Sequence, residues 1–208
     1  MKVRVLAPAK LNLGLEILGR RSDGYHEVRT LYCAISLFDR IEIGNKSVSA
    51  SAFGEGDLAI RARDAFLVAA MQCDRVGISI RKRIPVAAGM GGGSSDAAAV
   101  LLAMNQHMPG VDVLPIARSL GSDVPFLLGA GLALGRGRGE ELEPLPFRAV
   151  WFVVLTPMQS IQDKTRTMFA ALTANDFSDG SEVLSDAARL RNGAKLPNRF
   201  RNAFTRAL

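Results

Sequence analysis

Four glycines crowd into five positions, Gly89 and Gly91 to Gly93, within Ile84-Pro-Val-Ala-Ala-Gly-Met-Gly-Gly-Gly-Ser-Ser-Asp-Ala-Ala-Ala-Val-Leu-Leu-Ala-Met-Asn105. A chain that loose is then followed, from Ala97, by a run of mostly strong helix formers. Ser94, Ser95 or Asp96 is expected to cap that helix. The glycines therefore stand at a helix start, where amides lack partners and the dipole end is positive. Glycine lets a backbone approach a ligand closely, and successive N–H groups can cup an anion. Phosphate is the usual occupant of such a seat. One isolated glycine would read as a flexible turn; this density beside Ser-Ser-Asp reads as a phosphate loop. It is not a Walker loop, because no lysine follows Gly93. Nor is it a dinucleotide loop, because Ser94 stands where the third glycine would be.

The rest of the chain must supply a scaffold for that loop. Lys2 to Leu6 alternates as a strand, and a second follows Pro8 with Leu11, Leu13, Leu15 and Ile17 on one face. Asp23-Gly24 marks a turn, and residues 27–43 read as one or two further strands. Asp57 to Met71 is a helix candidate and Val76 to Ile80 a strand. Leu114 to Leu120 is a short helix, and residues 121–142 are turn-rich with strand patches. Phe147 to Thr156 reads as a buried strand. Lys164–Thr173, Glu182–Leu190 and Arg199–Leu208 read as helices. Gly135, Gly137 and Gly139 read as tight strand turns with close backbone packing, not as a second phosphate loop. Strands early and helices late make this an α+β chain, with a border near Pro144–Leu145–Pro146.

The 208 residues carry 26 Lys+Arg against 20 Asp+Glu, a formal charge of +6. That balance suits nucleic acid, an anionic surface or a polyphosphate small molecule. Aromatic residues make up only 6% and no run of five basic residues occurs, which argues against a dedicated nucleic-acid binder. Cys33 and Cys73 form no metal or redox spacing and read as reduced thiols. No signal peptide and no membrane-length apolar run is seen, so the expected address is the cytoplasm and no membrane partner is expected.

Three further clusters carry chemistry: Lys10 with Asn12, Tyr25-His26, and Ser122-Asp-Val-Pro-Phe126. Together with the glycine loop, and in this order along about three quarters of the chain, they resemble the GHMP small-molecule kinases. Among these the chain is similar to members whose substrate is a small sugar alcohol carrying cytidine diphosphate. The resemblance implies a two-domain architecture. A ribosomal protein S5 domain 2-like ATP-binding domain would cover residues 1–146, and part of a ferredoxin-like substrate domain residues 147–208. It implies ATP with Mg2+, and phosphoryl transfer to an alcohol.

The same resemblance assigns residues. Pro85, Val86, Ala87, Ala88, Gly89, Met90, Gly91, Gly92, Gly93, Ser94 and Ser95 would hold the triphosphate, and Asn105 the adenosine side. Lys10 would bring positive charge to the transferring phosphoryl group, while Asp123 would orient and deprotonate the hydroxyl. Tyr25 and His26 would read the cytosine, with Phe169 stacking on its far side. A planar base needs an aromatic face and in-plane hydrogen-bond partners. Asn12 and Thr165 would complete the substrate contacts. Ser95 is the candidate magnesium ligand, by analogy with phosphate-loop serines. His107 has no matching role. Two departures stand out. Asp57-Leu58 replaces the family's Asn-Leu, and the family's C-terminal Gly-Ser-Gly-Pro-Thr-type loop is not among these residues, so the resemblance implies an incomplete substrate domain.

Overall fold

A computed structural model describes residues 2–44, 57–73, 76–129, 131–147, 149–156, 164–197 and 199–206. In chain order these form β1 (Lys2–Arg20), β2 (His26–Gly44), α1 (Leu58–Ala69), β3 (Gly77–Arg81), α2 (Gly92–His107), α3 (Val113–Leu120), α4 (Val124–Gly129), β4 (Leu132–Arg136), β5 (Glu141–Leu145), α5 (Lys164–Ala170) and α6 (Ser181–Arg191), with 3-10 turns at Ala174–Asp176 and Ala203–Arg206. The chain is α+β, with antiparallel pairing in the registers described below. Its contacts group into two compact units: Met1–Lys10, Ile35–Pro85 and Met90–Ala130 in the first; Leu11–Ala34, Val86–Gly89 and Gly131–Leu208 in the second. The border expected near residue 146 falls inside the second of these groups.

In the first unit, β3 runs antiparallel to the end of β2, from Arg40↔Arg81 to Gly44↔Gly77. Ile41, Ile43 and Ile78 point to one face and are buried. Helix α2 packs against α1, α3 and α4 and is buried along most of its length, Ala97 to Leu101 and Met104 included. Strand β1 runs through Pro8 without a break. It is the outermost strand of the sheet, and a missing N–H donor is tolerated on an edge. Asp57 accepts the Ala59 amide at 2.8 Å and caps α1, as Asp112 caps α3.

In the second unit, β2 pairs with β4 from Thr30↔Gly135 to Cys33↔Leu132, and β4 with β5. Leu13, Leu31, Cys33, Leu132, Leu134 and Leu145 of this sheet bury Val183, Ala187 and Leu190 of α6. The glycines of the β4–β5 hairpin serve packing, as expected. Gly139 has φ +112°, and a Cβ there would stand 2.3 Å from the Tyr32 hydroxyl. Cys33 and Cys73 are both free thiols; burial pushes Cys33 up to about 11.

Four expectations are corrected. Helix α2 starts at Gly92 with Gly91 as its left-handed N-cap, and none of Ser94, Ser95 and Asp96 caps it. Residues 121–129 hold a helix, α4, with Pro125 in its first turn, where proline's absent donor costs nothing. The described part of 147–156 is not a strand: Trp151, Val153 and Leu155 are exposed and pair with no strand among the described residues. Alternating apolar residues fit a pleated surface but do not supply the neighbour that makes a strand. The helix expected from Arg199 is only the 3-10 turn Ala203–Arg206. The Arg201 carbonyl accepts the Leu15 amide at 2.8 Å, and Asn202 caps the Phe204 amide, which holds this backbone against β1.

Candidate functional site

Lys10, Met90 to Ser95, Asn105 and Asp123 lie in the first unit. Lys10 is fixed through its backbone, its amide donating to the Met90 carbonyl at 2.9 Å. Asp123 stands just before α4, its carbonyl accepting the Leu127 amide. The two side chains meet: Lys10 Nζ lies 3.1 Å from Asp123 Oδ2, with side-chain exposures of 7% and 25%. The sequence separates them by 113 positions, and the fold makes them an ion pair. The lysine is almost wholly enclosed, while the carboxylate keeps an open side.

The glycine loop closes over that lysine. Gly91 has φ +69°, and a Cβ on it would come within 2.9 Å of Lys10 Cγ, so the position demands glycine on both counts. Ala87 and Gly89 also have positive φ, and Met90 is buried. No side chain caps α2, and its first internal bond is from the Ser95 amide to the Gly91 carbonyl at 2.8 Å. The amides of Gly92, Gly93 and Ser94 thus head the helix at its positive end. Gly93 and Pro85 to Ala87 are exposed, and Ser94 partly so. Ser95 turns inward: it is buried and its hydroxyl donates to the Pro8 carbonyl at 2.6 Å. Asn105 Oδ1 accepts the Val111 amide at 3.3 Å, tying down the connection after α2.

The second group lies in the second unit and is built from rings. His26 and Phe169 stack, with centroids 5.0 Å apart and planes 29° from parallel. Phe204 meets Phe169 edge-on at 4.9 Å, and Phe177 meets His26 edge-on at 6.2 Å. His26 Nε2 is buried with no hydrogen-bond partner, and burial, with Arg20 nearby, lowers its pKa. The imidazole is therefore neutral at ordinary pH and one buried nitrogen is unmatched, the kind of atom a ligand satisfies. Tyr25 is 56% exposed and carries the Arg138 guanidinium 4.7 Å above its ring. Asn12 Nδ2 donates to Thr30 Oγ1 at 2.7 Å, and that hydroxyl donates to the Gly14 carbonyl. Thr165 lies on α5, and its side chain is outside the described ones.

Sequence reasoning missed several partners here. Phe177 and Phe204 complete the ring cluster but come from an irregular segment and a 3-10 turn, where no periodicity marks a face. Arg138 sits between two turn glycines, which hid its stacking role. Asp39, Lys82 and Asp96 form a buried ionic cluster drawn from three separate segments. A groove on the outer sheet face, lined by Arg4, Arg40, Glu42, Ser79 and Arg81, contains none of the candidate residues.

The chain is similar to known proteins. Residues 57–131 match the GHMP kinases N terminal domain. Over 197 residues the chain is 44% identical to the 4-diphosphocytidyl-2-C-methyl-D-erythritol kinase of Thermus thermophilus, covering 92% of this chain and 70% of that protein. The chain belongs to this family of GHMP kinases. A further member of the family, from Dehalococcoides mccartyi, is 40% identical over 188 residues, covering 85% of this chain and 66% of its own length. The crystal structure of a 4-(cytidine 5'-diphospho)-2C-methyl-D-erythritol kinase superposes with a TM-score of 0.79 at 40% identity, over 97% of this chain and 75% of that one. Membership makes the chain an ATP-dependent small-molecule kinase by kind. No helix among the described residues is long and apolar enough to cross a membrane.

Proposed function

We propose that this protein transfers the terminal phosphoryl group of ATP to the 2-hydroxyl of 4-diphosphocytidyl-2-C-methyl-D-erythritol, a step in isoprenoid precursor synthesis by the non-mevalonate route. The observation that carries this reading is the Lys10–Asp123 pair, 3.1 Å apart under a glycine loop, in a member of that kinase family. Phosphoryl transfer leaves a protein two tasks, positioning and charge stabilisation. The amides of Gly92, Gly93 and Ser94, with Pro85 to Met90 before them, take the phosphates. Asn105 serves the adenosine side. Asp123 aligns the acceptor hydroxyl and accepts its proton as the new P–O bond forms and the bond to ADP breaks. Lys10 sets the direction of that carboxylate and brings positive charge to the transferring group.

His26 offers its neutral ring edge to the cytosine, Tyr25 and Phe169 offer faces, and Asn12 and Thr165 add polar contacts. We assign ATP binding to residues 1–146 and part of the substrate domain to 147–208. Asn12, Tyr25 and His26 group with the latter in the second compact unit. Magnesium accompanies ATP in this chemistry and neutralises phosphate charge. Ser95 does not fit as its ligand, because its buried hydroxyl is committed to Pro8. We place the protein in the cytoplasm, acting on a small molecule rather than on nucleic acid or membrane.

The test is a substrate panel. With ATP, the purified chain phosphorylates the cytidine-diphosphate sugar alcohol and leaves homoserine and mevalonate untouched. Transfer to either of the latter at comparable kcat/KM would overturn the substrate reading. ATP binding without transfer to any of the three would overturn the kinase reading.

A further inference from the structure

Beneath the glycine loop lies a second charged group that the reaction scheme leaves unused. Lys82 Nζ is held between Asp39 of β2 and Asp96 of α2, the latter at 2.6 Å. Both carboxylates are buried, at 0% and 2% exposure. Asp39 also accepts the backbone amides of Arg83 and Ile84, the residues that lead into the loop. Asp96 Oδ1 is buried with no hydrogen-bond partner. The ammonium faces the loop itself: a Cβ on Gly92, first residue of α2, would stand 3.2 Å from Lys82 Nζ. A Walker loop carries its lysine just after the glycines; here a lysine arrives from the strand side.

The charges make this placement consequential. Two buried carboxylates lie directly under a seat for anionic phosphates, and Lys82 is the cation set between them. Without the lysine their negative charge would face the phosphates uncompensated, in a site where burial strengthens every interaction. We propose that Lys82 is a positioning residue for the phosphate loop. Gripped by Asp39 and Asp96, it fixes the first turn of α2 and offsets their negative charge, so that the loop accepts an anion. This rests on the reading that the loop holds ATP phosphates. It adds a residue outside the loop on which ATP affinity depends, acting through charge and not through contact with the reacting atoms.

The mechanism makes opposite predictions for two changes in one ion pair. Lys82→Met removes the cation and keeps the stem, so ATP binding weakens by about ten- to a hundredfold, the scale of a misplaced binding element. Asp96→Asn keeps size and shape, leaves Lys82 with Asp39, and removes one negative charge, so ATP binds as tightly as to wild type or more tightly. Lys82→Met/Asp96→Asn recovers most of the loss on a logarithmic scale. A clamp that mattered only for folding would lose affinity in both single variants.

The measurement is ATP affinity by calorimetry, with circular dichroism as the control for fold and Gly92→Val as the control for the loop. A folded Lys82→Met that binds ATP like wild type overturns the proposal. So does a double variant with no recovery, or a folded Asp96→Asn that binds tenfold more weakly. If Lys82→Met does not fold, the Asp96→Asn result alone decides by its sign. Unchanged ATP affinity in Gly92→Val would instead remove the loop reading itself, a separate outcome.

Discussion

The glycine loop and the aromatic cluster hold their residues in place in opposite ways. Around the loop, position is set by backbone: a left-handed Gly91, a hydrogen bond from the Lys10 amide to the Met90 carbonyl, and an ion pair with its lysine enclosed. Around His26, position is set by side chains resting on one another, with Tyr25 out in solvent under an arginine. Charge transfer in a narrow transition state tolerates little displacement, and backbone placement gives it that precision. A flat base is bound by faces and one or two edge contacts, which stacked rings supply with more freedom. Damage to the first region should therefore be steep and chemical, and damage to the second graded and selective.

The steepest expected break is Gly91→Val. It forces a β-branched residue into the left-handed region and a Cβ into Lys10 Cγ, which displaces Lys10 along with the loop. Turnover should fall by about a hundredfold or more, with ATP affinity falling too, read by steady-state kinetics and calorimetry. A variant with intact turnover would show that backbone placement is not what the loop supplies.

The contrast sharpens in the second region. Tyr25→Ala and His26→Ala should each raise KM for the cytidine substrate by about tenfold, the scale of one lost stacking or hydrogen-bond contact, while KM for ATP holds. Equal movement of both constants would make the rings a structural prop. Phe204→Leu, which removes the ring that meets Phe169 edge-on, should show the same selectivity at a smaller size.

The smallest effect is on stability. Burial raises the Asp96 carboxyl to about 7, against the partial relief from Lys82. A carboxyl whose folded value lies above its unfolded one binds the extra proton in the folded state, so its contribution is present at low pH and lost as pH rises. Thermal midpoints should drift down as pH climbs from about 4 through about 7, and Asp96→Asn should flatten that drift. An identical slope in the variant would show that other groups set it.

The two regions also differed in how far the sequence disclosed them. The glycine density placed a loop before a helix start, and the motifs of Lys10 and Asp123 pointed to a pair that the fold brings to 3.1 Å. The start of α2 was misplaced because Gly91, left-handed, does the capping that Ser94, Ser95 and Asp96 are suited to. Ser95 and Asp96 instead spend their polar atoms on Pro8 and Lys82, partners that only the fold brings near. In the second region the resemblance pointed to Tyr25, His26 and Phe169, and the fold stacks His26 on Phe169. Phe177, Phe204 and Arg138 were not, because irregular segments carry no period. Residues 147–156 show the limit of apolar patterning most plainly. Val-rich sequence states that a surface is wanted, and only a neighbouring strand can provide it.

The most direct test of the account is turnover in Asp123→Asn, Lys10→Ala and the double variant, with binding of the cytidine substrate measured separately. A positioned general base contributes about a hundredfold to ten-thousandfold, and groups that act as a unit are not additive. Asp123→Asn should lose turnover on that scale while substrate affinity is nearly kept, and the double variant should be no worse than about the larger single loss. Near-native turnover in Asp123→Asn, or losses that simply multiply in the double variant, would contradict it.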